Sequence, residues 1–237
     1  DERHSVLMLF QAMDAAGKDG AIKHVMSGIN PQGCHVVGFK APTSREYAFP
    51  FLWRHMMAMP ERGRIGIHNR SHYEFVLACK VNPEFVLSER LPGIRSVEDL
   101  TPAFWKQRYR QIADFEALLA ETGTVQLKFF LHLSRDEQRS RLLKRINTPA
   151  NNWKFDASDI KARAQWDDYM EAYEDAIRKT AAPHAPWYVI PADDKWFARA
   201  LIARILKETL QGLNMQYPRL HPDALNLLEQ ARVELMP

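Results

Sequence analysis

The chain has 237 residues, 46% of them hydrophobic and 26% charged, with a formal net charge of +3 at pH 7. This composition excludes a disordered polymer and supports one sizeable core. So small a charge singles out neither nucleic acid nor a membrane surface as a partner. No apolar run approaches the roughly 18 residues a membrane helix requires, and no signal peptide is visible. Cys34 and Cys79 are the only cysteines, which suits a reducing cytoplasm better than a disulfide framework. A strand begins almost directly after Asp1, so a preceding N-terminal segment is expected and targeting stays open.

In chain order, strand-like runs occupy 6–10, 35–39, 64–68, 125–133 and 187–190. Helical stretches separate them, and that alternation predicts right-handed crossovers and a parallel sheet covered on both faces. The first run feeds the turn Met13-Asp14-Ala15-Ala16-Gly17-Lys18-Asp19-Gly20, and a helix opens at Ala21. Thr101 and Pro102 form an N-cap and first-turn pair. The helix after them carries a core stripe of Phe104, Trp105, Tyr109, Ile112, Phe115 and Leu119 and ends near Gly123. Ser134 precedes a basic helix with Arg135, Arg139, Arg141, Lys144 and Arg145, which Asn147-Thr148-Pro149 terminates. One long helix is expected from about 159 to 179, another over 194–210, and a last one in the tail 218–237. The reading is a single α/β domain spanning 1–237, with a helical insertion at about 135–180.

The turn after the first strand has the context of a phosphate-binding loop. Backbone N–H groups and the positive end of a helix converge there on an anion, and a lysine adds a point charge. Against the pattern G-x-x-x-x-G-K-[ST], Gly17 and Lys18 are in place, but Ala12 replaces the first glycine and Asp19 the hydroxyl. The phosphate-binding set read from the loop is Ala16, Gly17, Lys18, Asp19 and Gly20. Asp14 is an unusual charge for a loop that only holds phosphate. A carboxylate there suits Mg²⁺, a hard cation that prefers oxygen ligands. The third strand runs into Asn69 and Arg70. Asn69 falls where P-loop proteins carry an acidic residue toward Mg²⁺, and Arg70 sits at a strand's C-terminal end, where open α/β sheets place ligands. An arginine fork there matches phosphate oxygens. His68 and His72 lack a third metal ligand, so structural roles are expected for both. Arg141 and Arg145 share a helix face. A basic helix inserted after the fourth strand is where small-molecule kinases keep a lid that shuts over phosphates.

Five segments together resemble polyphosphate kinase family 2: MDAAGKDG, FKAPTSREYAFPFLWR, NRSHYE, RINTPANNWKF and WDDYMEAYEDAIRKTAAPHAPWYVIPADDKWFAR. The likeness runs from Val6 to about Tyr217. It implies a three-layer α/β/α P-loop kinase fold similar to thymidylate kinase, with a parallel five-stranded sheet and a helical lid. It also implies phosphoryl transfer between inorganic polyphosphate and nucleotides with Mg²⁺, or Mn²⁺ in its place, and a homodimer or homotetramer. The acceptors it implies are AMP and ADP, with guanine nucleotides as further candidates; no nucleic acid or membrane partner is expected. Carried over by position, Asp14 and Lys18 match the loop residues that hold metal and the transferring phosphate, and Asn69 matches a metal-side aspartate. Arg70 matches the arginine that follows it. Glu74 matches a position that is asparagine in members restricted to nucleoside diphosphates, so the chain resembles the subgroup acting on both AMP and ADP. By the same resemblance Arg54 falls at the end of the segment that faces the acceptor nucleotide, and Arg141, Arg145 and Lys154 fall in the lid. His68 departs from the usual phenylalanine, and a neutral, packed imidazole is expected there.

The catalytic set is therefore Asp14, Lys18 and Arg70; Asp14 and Asn69 are the metal candidates; Arg54, Asn69, Arg70 and Glu74 are the nucleotide candidates. The attacking phosphate oxygen is already anionic near neutral pH, so positioning and electrostatics suffice for in-line transfer. Two rivals remain at this stage, an ATP-dependent nucleoside monophosphate kinase and a non-enzymatic polyanion-binding protein.

Overall fold

A computed structural model describes residues 2–217 and 221–236, apart from the side chains of 154, 222, 223 and 226. Five strands, β1 (Ser5–Gln11), β2 (Cys34–Gly38), β3 (Ile65–Asn69), β4 (Thr124–His132) and β5 (Trp187–Pro191), form one sheet in the order β2-β3-β1-β4-β5. Every pairing is parallel, as the alternation predicts. The helices are α1 (Lys18–Val25), α2 (Trp53–Met56), α3 (Ala78–Val81), α4 (Glu84–Leu87), α5 (Pro102–Glu121), α6 (Arg135–Ile146), α7 (Ala157–Ala164), α8 (Trp166–Thr180), α9 (Lys195–Gly212) and α10 (Pro222–Leu235). The expected start of the tail helix, 218, lies outside the described residues.

Period-two alternation in β1 divides the core. Val6, Met8 and Phe10 pack with Ala21 and Ile22 of α1 and Ala198, Ile202 and Leu206 of α9 on one face. Leu7 and Leu9 pack with Ile112 and Phe115 of α5 and Ala172, Tyr173 and Ala176 of α8 on the other. β1 is buried along its whole length, as a central strand covered on both faces must be, and three layers result.

The helix expected over 159–179 is two helices. Asp156 caps α7 by accepting from the Ser158 N–H, and Gln165, at φ −94° and ψ 28°, breaks the path before α8. The apolar residues of this stretch that enter the core lie in α8, where Trp166 and Tyr173 are buried. Of the segment 135–180, α8 is therefore core, while α6 and α7 stand beside the loop that follows β1.

On the face of the sheet covered by α5 and α8 lies a buried polar knot. The Lys128 ammonium donates to Glu116 Oε2 at 2.5 Å, to Tyr73 Oη at 2.9 Å and to the Thr180 carbonyl at 2.9 Å. All four groups are closed off from water, and this satisfaction is what makes a buried charge tolerable. Beside it His55, His68 and His72 are buried together. His68 Nε2 lies 3.1 Å from the Ala58 carbonyl, and its ring meets Phe39 edge-on. Burial, with His72 and His35 nearby, lowers its pKa to about 4, so the neutral, packed imidazole expected at this position is found.

Candidate active site

Strand order assembles the site. β2, β3 and β1 are neighbours whose register sets Gly38 and Phe10 both against Asn69, so the loops after all three open at one end of the sheet. The loop after β1 turns through Ala15 at φ 63° and Gly17 at φ 94°, the latter forming the N-cap of α1. Glycine takes a left-handed backbone at no steric cost. In Ala15 and in Arg70 (φ 64°) that conformation costs on the order of 1–3 kcal/mol each, which surrounding contacts must hold.

For Ala15 those contacts come from α6. Gln138 Nε2 donates to the Asp14 carbonyl at 3.0 Å, and Arg141 Nη1 donates to the carbonyls of Ala15 at 3.3 Å and Ala16 at 2.9 Å. Arg141 Nη2 spans to the Ala192 and Asp193 carbonyls at 2.7 and 2.9 Å, and Nε reaches Glu137 at 2.7 Å. Three successive loop carbonyls thus face α6. The first-turn N–H groups of Lys18, Asp19 and Gly20 have no acceptor within their own helix and are available to an anion.

Asp14 and Arg70 form an ion pair at 3.2 Å. Glu74 and Asp14 raise the Arg70 pKa against its partial burial. Lys18 Nζ donates to the Ala12 carbonyl at 3.0 Å. Desolvation and the Arg70 charge lower its pKa, while Asp14, Glu74 and Asp19 act the other way. The Asn69 amide nitrogen donates to Asp19 Oδ1. Asp14, Ala16, Gly17, Lys18, Asp19, Gly20, Asn69, Arg70 and Arg145 all line one cavity of about 570 Å³, so the structure brings most of the expected site together. Arg145 also pairs with Asp159 of α7 at 2.6 Å, whereas the guanidinium of Arg141 is occupied by the loop. The side chain of Lys154 lies outside the described residues.

A second cavity, of about 370 Å³, opens beside the first and shares Phe39, Lys40, Ala41 and Arg70 with it. Arg54 and Glu74 line it, with Phe75, Ala78, Cys79 and Phe85 as its apolar wall. Arg54 is fixed by Glu46 at 3.1 Å and by the Lys40 carbonyl at 2.9 Å, and its guanidinium lies over the Phe39 ring. Among the described residues no group of three His, Cys, Asp or Glu side chains is set to hold a metal ion. A Mg²⁺ site, which takes one or two carboxylates and fills the rest with phosphate and water oxygens, needs no such group.

The family model described as Polyphosphate kinase 2 matches residues 1–218 of the chain. The chain belongs to the polyphosphate kinase 2 family. It is 50% identical over 234 residues to an ADP-polyphosphate phosphotransferase of Rhodopseudomonas palustris, covering 99% of this chain and 80% of that protein. It is 48% identical over 218 residues to an AMP/ADP-polyphosphate phosphotransferase of Meiothermus ruber, covering 92% and 76%. The crystal structure of polyphosphate kinase 2 from Arthrobacter aurescens superposes with a TM-score of 0.85 at 38% identity, covering 97% of this chain and 76% of that one. Phosphoryl transfer is the reaction class of the family.

Within this polyphosphate kinase 2 chain, several site residues escaped the sequence reading. Lys40 reaches both cavities because β2 ends two residues before it; its place after an apolar run was the available signal. Gln138 shares a face of α6 with Arg141, three residues on. Asp159, at the start of α7, meets Arg145 across the turn between α6 and α7, and no local pattern announces that.

Proposed function

We propose that the chain transfers phosphoryl groups between inorganic polyphosphate and AMP or ADP by in-line displacement. The observation that carries this is the pair of adjoining cavities. One is walled by a phosphate-binding loop and cations, the other is apolar and nucleoside-sized, and Arg70 belongs to both. The donor's terminal phosphoryl group rests on the first turn of α1 and Lys18. The acceptor phosphate lies between Arg70 and Arg54, its oxygens oriented for attack. Positioning and charge stabilisation supply the catalysis, since an anionic phosphate oxygen needs no strong base.

Asp14, with the amide oxygen of Asn69, would hold Mg²⁺ at the mouth of the loop, and Asp19 adds a second carboxylate to the same cavity. The bound ion would neutralise charge on the bridging phosphate oxygens. Arg145 with α6, α7 and the turn carrying Lys154 acts as the lid, closing on the phosphates and excluding water. Glu74 beside Arg70 favours acceptance of AMP as well as ADP, and guanine nucleotides are further candidate acceptors. A homodimer or homotetramer in the cytoplasm is the expected working form. Incubating AMP and ADP with Mg²⁺ and either polyphosphate or ATP, then separating the nucleotides, tests the proposal. Polyphosphate is expected to drive phosphorylation. Turnover with ATP alone would assign a nucleoside monophosphate kinase, and salt-sensitive binding without turnover a polyanion-binding protein.

A further inference from the structure

The 3₁₀ turn His72–Phe75, which carries Glu74 to the acceptor cavity, is tied down at two points. One is Tyr73, whose Oη lies 2.7 Å from both Glu116 Oε1 and Thr180 Oγ1 inside the polar knot. The other is Gln11, the last residue of β1, which is sealed from solvent. Its amide lies between Ser71, which offers a backbone N–H and a hydroxyl, and the Glu74 carboxylate, an acceptor. Those partners set its orientation: Oε1 accepts from the Ser71 N–H at 2.9 Å and from Ser71 Oγ at 3.0 Å, and Nε2 donates to Glu74 Oε1 at 2.9 Å. Ser71 Oγ in turn accepts from the Tyr73 N–H at 3.3 Å and caps the turn. Gln11 therefore holds both the start of the turn and the end of the Glu74 side chain.

Gln11 is absent from the walls of both substrate cavities, whereas Glu74 lines the acceptor cavity together with Arg54 and Arg70. Glu74 is the largest influence raising the Arg70 pKa, so the two side chains are neighbours. A carboxylate free to rotate beside a guanidinium is drawn into a two-pronged pair with it. Such a pair would occupy the N–H groups that an acceptor phosphate needs. We propose that Gln11 is a positioning residue for acceptor choice: by holding Glu74 Oε1 it keeps the carboxylate on the cavity wall and leaves the Arg70 fork open to the single phosphate of AMP. This rests on the reading of polyphosphate as donor and AMP or ADP as acceptor. ADP brings a second phosphate within reach of the other cations of the loop cavity, and so depends less on that fork.

Steady-state kinetics with polyphosphate as donor test this through the ratio of kcat/KM for AMP to that for ADP. Gln11→Met should lower the ratio about tenfold, through a higher KM for AMP, while kcat with ADP stays within about twofold of the wild type. In the Glu74→Asn background the same change should move the ratio by less than about twofold, because the group it acts through is gone. Gln11→Glu is nearly isosteric and reads the contact itself, and it carries the test if Gln11→Met fails to fold. At about pH 6 the introduced carboxylic acid shares a proton with Glu74 and donates where the amide did, so the ratio should lie within about threefold of the wild type at the same pH. At about pH 9 both groups are ionised and repel, and the ratio should fall about tenfold below the wild type. An equal effect of Gln11→Met in both backgrounds, or a Gln11→Glu effect that does not change with pH, overturns the positioning role and leaves the polyphosphate reading in place. A wild type that transfers from polyphosphate to neither acceptor overturns that reading itself.

Discussion

His68 stands on β3, sealed from solvent, at a position where the family resemblance expects phenylalanine. Its pKa falls from 6.5 to about 4 on folding, mainly because burial disfavours the charged ring. A group depressed in this way binds protons more readily in the unfolded chain. The native state keeps its full stability above pH 6.5 and loses it as the pH falls toward 4. At 1.36 kcal/mol per pH unit, the loss assignable to His68 reaches about 2.5 kcal/mol by about pH 4.5. His68→Phe removes that loss while filling nearly the same space against Phe39 and His55. At neutral pH the variant gives up the contact with the Ala58 carbonyl, a cost of about 1 kcal/mol. The two proteins should therefore cross: the wild type is the more stable at about pH 7.5, the variant at about pH 4.5. His55, held well below 6.5 by burial and the two neighbouring imidazoles, titrates in the same direction in both and largely cancels. Urea midpoints at the two pH values measure the effect. A stability difference that is the same at both would refute the neutral, buried imidazole.

Asp14→Asn and Lys18→Ala should each reduce kcat by at least about a thousandfold, as loss of preorganised charge at a transferring phosphoryl group does, with circular dichroism unchanged; near-normal turnover by either would sink the site assignment. Arg141→Lys retains the charge but loses the planar fork that spans the Ala15, Ala16, Ala192 and Asp193 carbonyls. It should lower kcat about a hundredfold while leaving the acceptor KM near the wild-type value, and a rise in KM alone would show that Arg141 binds substrate instead. Glu74→Asn should lower kcat/KM for AMP about tenfold relative to ADP. Parallel loss with both acceptors, read by separating the nucleotides, would remove Glu74 from acceptor choice.

The strands, their parallel sense and the loop's chemistry were written locally. Period-two runs such as Val6 to Phe10 fix what each face of a strand buries, and a glycine and lysine between strand and helix can be read without knowing what surrounds them. Asp14, Lys18, Asn69 and Arg70 were reachable in that way because Asn69 ends β3, Arg70 follows it, and Asp14 and Lys18 lie in the turn from β1 into α1, where parallel topology gathers ligand groups.

Other features depend on contacts between residues far apart in the chain. Arg141, read from its helix face as a cation awaiting phosphate, is held by loop carbonyls 125 and 126 positions earlier. Ala15 takes a left-handed backbone where Gln138 and Arg141 satisfy the loop carbonyls of residues 14–16, whereas Ala12, which stands in place of the first glycine of the ordinary pattern, has no left-handed backbone to adopt. The break at Gln165 divides one expected helix into a core helix, α8, and a separate helix, α7, whose Asp159 pairs with Arg145. The sequence by itself determined which atoms could meet phosphate, because helix dipoles, strand ends and side-chain charge are local properties. Which cations face the site and which hold its frame was decided only by the tertiary structure, because a guanidinium goes to whichever unpaired oxygens the fold sets within its reach.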